Sequence, residues 1–199
     1  MAEWRNMAAG AAGGSFTYIN ETTAIAGSII VARLQYGLAA EDCRGFGPGV
    51  HPPPNAGQGA SAGGHRIDLA IDRIKRFSRL HAVLGNVFSL CVPRIGLQGN
   101  ALGRWNSWQL HRAEAARHAD TALRRLLSAK SHGHAALSVF QDMLRPPSPQ
   151  AVAHAWAPAA EQLLRRAIDD LAVAEATVGQ MRPAIVAQYA DARMLLRGG

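Results

Sequence analysis

A chain of 199 residues, 48% hydrophobic and with only Cys43 and Cys91 as cysteines, carries enough apolar side chain for a core and has neither a disulfide framework nor a metal knuckle. The first residues hold Glu3 and no continuous apolar stretch, which argues against a secretory signal and for a reducing, cytoplasmic setting. The net charge of +7 is uneven, with −1 over residues 1–64, +8 over 65–145 and zero over 146–199, so a partner selected by charge would meet the middle.

Residues 15–19, SFTYI, have strand-forming side chains but no partner strand. From Ala24 the spacing turns helical, with Ile25, Ile29, Ala32 and Tyr36 on one stripe and Ile30, Leu34 and Leu38 beside it. This predicts a helix over 24–40 that is covered on most sides. Arg33 and Gln35 interrupt its apolar run short of the ~20 residues that a membrane span needs. Residues 1–42 therefore read as an N-terminal helical arm with no membrane span. Residues 43–64, CRGFGPGVHPPPNAGQGASAGG, are dense enough in Gly and Pro to predict an irregular linker. Residues 65–199 read as the helical bundle.

In the bundle, Ile67, Ile71, Ile74, Phe77, Leu84 and Phe88 recur at helical spacing, opposite Asp68, Asp72, Lys75, Arg76 and Arg79. Residues 83–92 are apolar all round, which predicts a buried helix end or a short strand before Pro93. A Gly-punctuated connection over 94–104 leads to a helix over 105–130. Asn106 is its expected N-cap, Trp105 and Leu110 its hydrophobic staple, and Gly133 its stop. A short helix follows over 134–145, ended by Pro146-Pro147-Ser148-Pro149. Ala160, Leu164, Ala167, Leu171, Ala174 and Val178 then keep the alternating spacing of four and three that marks a helix–helix seam. Gly179 and Pro183 are read as its end, before a last helix over 183–197. The fold class expected is all-α, a bundle of about four to six helices.

Several motifs resemble chemistry they are poorly placed to perform. Gly59-Ala60-Ser61-Ala62-Gly63 fits the G-x-S-x-G nucleophile elbow, with Asp72, Asp120 or Asp142 and then His154 in hydrolase order, but the elbow needs a core strand before the serine. Gly59 to Gly64 also has part of a P-loop's spacing, yet His65 and Arg66 stand where Lys and Ser or Thr are required. A generic anion site at the start of a helix near Arg66 is all that survives of this. On the helix over 105–130, His111, Glu114 and His118 fall on one outward face, with the histidines too far apart to share one ion. His132 and His134 suit a helix end, and His81 suits a core position with a hydrogen-bond partner. No cofactor and no metal site is expected.

The basic side chains Arg73, Lys75, Arg76, Arg79, Arg112, Arg117, Arg124 and Arg125 are the expected polyanion- or partner-binding set. Trp105 and Trp108 are expected either as core anchors or as an interface. The reading these features give is a non-enzymatic helical interaction or assembly protein, its small seam residues packing against each other or another subunit, a second copy included. Its basic middle would contact an acidic partner. The alternative is nucleic-acid binding through 65–145, and a distant third is a serine hydrolase using Ser61.

Overall fold

Buried side chains recur mostly at intervals of three and four residues along the described helical segments. In the computed structural model, which describes residues 2–44, 54–95, 97, 99–143 and 150–197, that pattern is carried by four α-helices. They are α1 (Ala2–Arg44), α2 (Pro54–Ile95), α3 (Ala101–Met143) and α4 (Gln150–Arg197). In α4 the buried positions include Ala160, Leu164, Ala167, Leu171, Ala174, Val178, Met181, Ile185, Gln188, Ala192 and Leu195, ten steps of four and three without a break. A repeat of 3.5 keeps one seam facing its neighbours over many turns, as in coiled-coil bundles. The fold is all-α, a helical bundle, as the periodicity implied.

Two compact units make up the chain, and every helix contributes a segment to each. Unit 1 comprises Met1–Ile25, Arg73–Thr121 and Ala176–Gly199, and unit 2 comprises Ala26–Asp72 and Ala122–Glu175. In unit 1, Phe88, Cys91, Val92 and Trp108 pack with Ala8, Ala11, Ala12, Ala192 and Leu195. Trp108 stacks on the partly buried Trp105 with ring centroids 5.1 Å apart and lies 4.8 Å from Phe88. In unit 2 the buried set includes Ile29, Tyr36, Ile67, Leu126, Leu164 and Leu171 among Ala32, Ala39, Ala70, Ala129 and Ala167. Each large side chain removed from water contributes about 1.5–3 kcal/mol, while the alanines let backbones approach.

The helices are longer than local signals predict. Residues 15–19 lie inside α1, and α2 begins at Pro54, so residues 54–64 of the expected linker are helical; residues 45–53 lie outside the described residues. The 83–92 segment is helix throughout. Gly133 does not end α3, which absorbs the short helix expected after it, and Gly179 and Pro183 are interior to α4. At the other end, α3 starts before the expected Asn106 cap: Gly99 turns the chain at a φ of 55°, and the Asn100 carbonyl accepts from the Arg104 N–H at 3.2 Å. A glycine costs a helix about 1 kcal/mol and a proline about 3. A continuous seam outweighs such local costs because most helical stability in a folded chain comes from packing one face.

Several of these glycines are required by what packs against them. Gly63 and Gly133 both lie on buried seam positions, and a Cβ on either would overlap Tyr36, the ring in the first case and the hydroxyl in the second. A Cβ on Gly59 would stand 3.2 Å from the Gln35 carbonyl and 3.3 Å from the Ala39 Cβ. In unit 1, a Cβ on Gly85 would overlap the Arg112 guanidinium. Gly179, by contrast, is exposed with open space around it. Gly133→Ala should therefore lower the melting temperature by several degrees, overpacking at about 1–3 kcal/mol exceeding the gain in helix propensity. Gly179→Ala should raise it by about 2–4 °C. Calorimetry of the two variants checks this, and equal effects would contradict the packing described.

Candidate functional site

The expected basic set divides between the two units and between two kinds of use. In unit 1, Arg73 pairs with Glu21 at 3.4 Å, and the Arg79 Nε donates to the Lys75 carbonyl one turn back. Lys75, Arg76 and Arg117 are exposed. Arg112 turns into a seam position instead. It donates to Asn86 Oδ1 at 2.8 Å, to the Ala82 carbonyl and to Ser89 Oγ, with its guanidinium 5.6 Å from the Trp108 ring centroid, and burial lowers its pKa. In unit 2, Arg125 donates to the buried carboxylate of Asp170 at 3.0 Å, which also accepts from Ser128 at 2.6 Å, and Arg124 is exposed. Arg73, Arg112 and Arg125 thus hold helices together. Trp108, 2% exposed, is a core anchor rather than interface surface.

The histidine row on α3 does not point outward as a set. His111 reaches Asp191 at 3.0 Å, beside the Ser107 hydroxyl that donates to the same oxygen at 2.8 Å. Among the described residues, no group of three His, Cys, Asp or Glu side chains is placed to hold a metal. Neither cysteine is in a disulfide and both are buried; burial is the main cause that pushes the Cys43 thiol up to about 12, so it is no nucleophile near neutral pH.

Ser61 sits inside α2, not on the strand-to-helix turn that a nucleophile elbow requires, and the His154 side chain lies outside the described residues. The anion site imagined at a helix start near Arg66 also moves, because α2 begins twelve residues earlier and the backbone N–H groups at 66 are spent within it. The same stretch does line a groove in unit 2, a cavity of about 270 Å³ shared by Tyr36, Ser61, Gly64, His65, Asp68, Lys130, Gly133 and His134. Lys130 and Asp68 pair across it at 2.6 Å. Tyr36 is fully buried, and burial first, with the Asp68 charge second, raises its pKa to about 12. Its hydroxyl is shielded from solvent and has no hydrogen-bond partner among the described residues. From sequence Tyr36 was only one more residue on an apolar stripe. The usable signal was that a tyrosine shares the seam with glycines from two other helices.

A different surface lies along the outside of α1 in unit 2. Ile30, Leu34 and Leu38 are 43%, 62% and 58% exposed at intervals of four, which places them along one ridge. Gly27 and Gly37 leave open space beside them. By length and composition alone α1 is also apolar enough to cross a membrane, with a best window of mean hydropathy 1.3, a third of it buried in the fold.

His81 occupies a core position of unit 1, as its sequence setting implied. It stacks on Phe77 at 5.1 Å, with the imidazole Nε2–H donating to Gln188 Oε1 at 2.9 Å. Burial lowers its pKa below the ordinary 6.5, the Gln188 hydrogen bond opposes this, and the Arg112 charge adds to the lowering. Below about pH 6.5 the unfolded chain binds a proton here that the folded chain takes up only at lower pH, so this site withdraws stability as pH falls through that window. The melting temperature of the native chain should therefore fall more steeply below about pH 6.5 than that of His81→Leu. A difference between the two that does not change with pH would contradict this.

No protein-family model, curated protein or solved structure matches this chain.

Proposed function

We propose that this chain is a non-enzymatic helical assembly protein whose partner is a second copy of itself, docked along the outer face of α1. The ridge of Ile30, Leu34 and Leu38 carries the reading, because apolar side chains aligned on one exposed helix face are what a packed neighbour would cover. The flanking glycines leave room for a ridge to seat in a groove. Charge selects the second copy. The excess positive charge lies in residues 65–145, through which two copies would repel, whereas residues 1–64 total −1. The arginines near the ridge are matched, Arg33 by Glu175 and Arg44 by Glu161. Two copies related by a two-fold axis would present the same neutral, apolar patch to each other.

The ridge over residues 27–38 is about 18 Å long, at the small end for a specific interface, so the dimer should form in the micromolar range. Light scattering across that range should show the native mass rising toward twice the monomer, and Leu34→Glu with Leu38→Glu should stay monomeric with unchanged helicity. A native chain that is monomeric throughout, or a dimer indifferent to these changes, overturns the reading. So does a monomer that binds lipid vesicles through Leu34, since the ridge would then face a membrane.

A second reading is favoured by Lys75, Arg76 and Arg117, which are exposed in unit 1 and have no carboxylate partner among the described residues. It makes the basic middle a nucleic-acid contact. Binding to DNA or RNA at low salt should then fall with added salt, and Arg76→Glu with Arg117→Glu should reduce the salt slope by about two. No binding at low salt dismisses it.

A further inference from the structure

Residues 73–113 hold seven Lys or Arg and no Asp or Glu, so neither α2 after Asp72 nor the start of α3 up to Glu114 offers a carboxylate. Arg112 lies in that stretch and is half-buried in unit 1. Its guanidinium lies against Gly85, where a Cβ would overlap it, and donates to three neutral acceptors, the Ala82 carbonyl, Asn86 Oδ1 and Ser89 Oγ. It makes no ion pair among the described residues. Glu114, two residues on, is turned about 200° round the axis of α3. Neutral acceptors orient a charge without neutralising it, and a partly desolvated charge with no opposite charge beside it is costly. Burial accordingly lowers the Arg112 pKa, and no carboxylate opposes this. The guanidinium is nonetheless open to solution. With Ser89, Gln109, Ala113 and Ala116 it lines a groove of about 360 Å³, and Gln109, Ala113 and Ala116 are exposed. Of the five N–H groups of a guanidinium, three are spent on those acceptors. Gln109 makes no hydrogen bond among the described residues and can turn either its N–H2 or its carbonyl to what enters. Charge decides which: Arg112 is the one charged residue among those lining the groove.

We infer that this groove between α2 and α3 is a binding site for a small oxyanion, a phosphate or carboxylate group whose oxygens accept from the Arg112 guanidinium and the Gln109 amide. The site does not rest on the assembly reading, since the ridge on α1 takes no part in it. A planar guanidinium suits the oxygens of either group, and the anion supplies the negative charge that residues 73–113 lack. The short side chains of Ala113 and Ala116 leave room for it in the groove. Ser89 keeps the cation in place. Its hydroxyl donates to the Gly85 carbonyl at 2.8 Å, which turns its oxygen to accept from Arg112.

The test is a titration of the native chain with inorganic phosphate and with succinate, followed by the methyl resonances of Ala113 and Ala116 and the side-chain amide of Gln109, with chloride as the ionic-strength control. Saturable shifts with either probe support the site, and the probe that saturates at lower concentration identifies the source of the oxyanion. Arg112→Gln should weaken binding at least about tenfold, the worth of one charge-assisted hydrogen bond. Gln109→Glu tests the same point without touching the bonds of Arg112. It places a carboxylate one turn from the guanidinium, so it should also weaken binding at least about tenfold while melting no lower than the native chain. Arg166→Gln, which removes an exposed charge from unit 2, should bind both probes as the native chain does. Shifts no different from those in chloride overturn the site, as does native-like binding by Gln109→Glu or an equal loss in Arg166→Gln. A Gln109→Glu chain less stable than the native one also overturns it, because Arg112 would then lack no counter-charge.

Discussion

Polar side chains in a seam of interlocking helices need space as well as partners, and in this chain glycine supplies the space. Tyr36 fits in unit 2 because Gly63 and Gly133 lack a Cβ where its ring and hydroxyl lie, and Arg112 fits in unit 1 because Gly85 does. The rest of the seam is rich in alanine, with spaced large residues such as Ile25, Phe77, Leu126 and Leu171. Alanines in the seam permit a close backbone approach, and where the approach is closest Tyr36 and Arg112 lie opposite a missing side chain. The glycine positions and the two polar insertions are therefore one constraint.

That constraint explains what the sequence did and did not disclose. The 4-3 spacing from Ala160 to Val178 was legible directly, and it continues to Leu195. The all-α class followed from the same periodicity in the other segments. What was misread was continuity. Gly59, Gly63 and Gly64 looked like a linker, Gly133 like a stop and Pro183 like a boundary, because local propensity is a statement about an isolated helix. Each lies inside a helix that packing sustains. A glycine at a seam position and a glycine in a loop have the same composition signal; only its register against neighbouring helices separates them.

The candidate residues divide along the same line. His81 was legible as a core histidine because it falls on the apolar stripe of its own helix, and its partner Gln188 lies 107 residues away, beyond any local pattern. The basic residues were legible as charges but not as contacts. Arg112, Arg125 and Arg73 are engaged with Asn86, Asp170 and Glu21, pairings fixed by helix register rather than by neighbours in sequence. The groove above Tyr36 was the least legible, since its parts come from three helices and two of them are glycines.

The packing of unit 2 presupposes that α2 and α3 run unbroken past these glycines with Tyr36 seated against them. Nuclear Overhauser spectroscopy of the native chain tests that directly. Cross-peaks should link the Tyr36 ring protons to the Hα protons of Gly63 and Gly133, and sequential amide contacts should continue through both glycines. Absence of the ring contacts, together with a break in the amide contacts at Gly63 or Gly133, would contradict the seam and return these residues to the loop and helix end that their local sequence suggests.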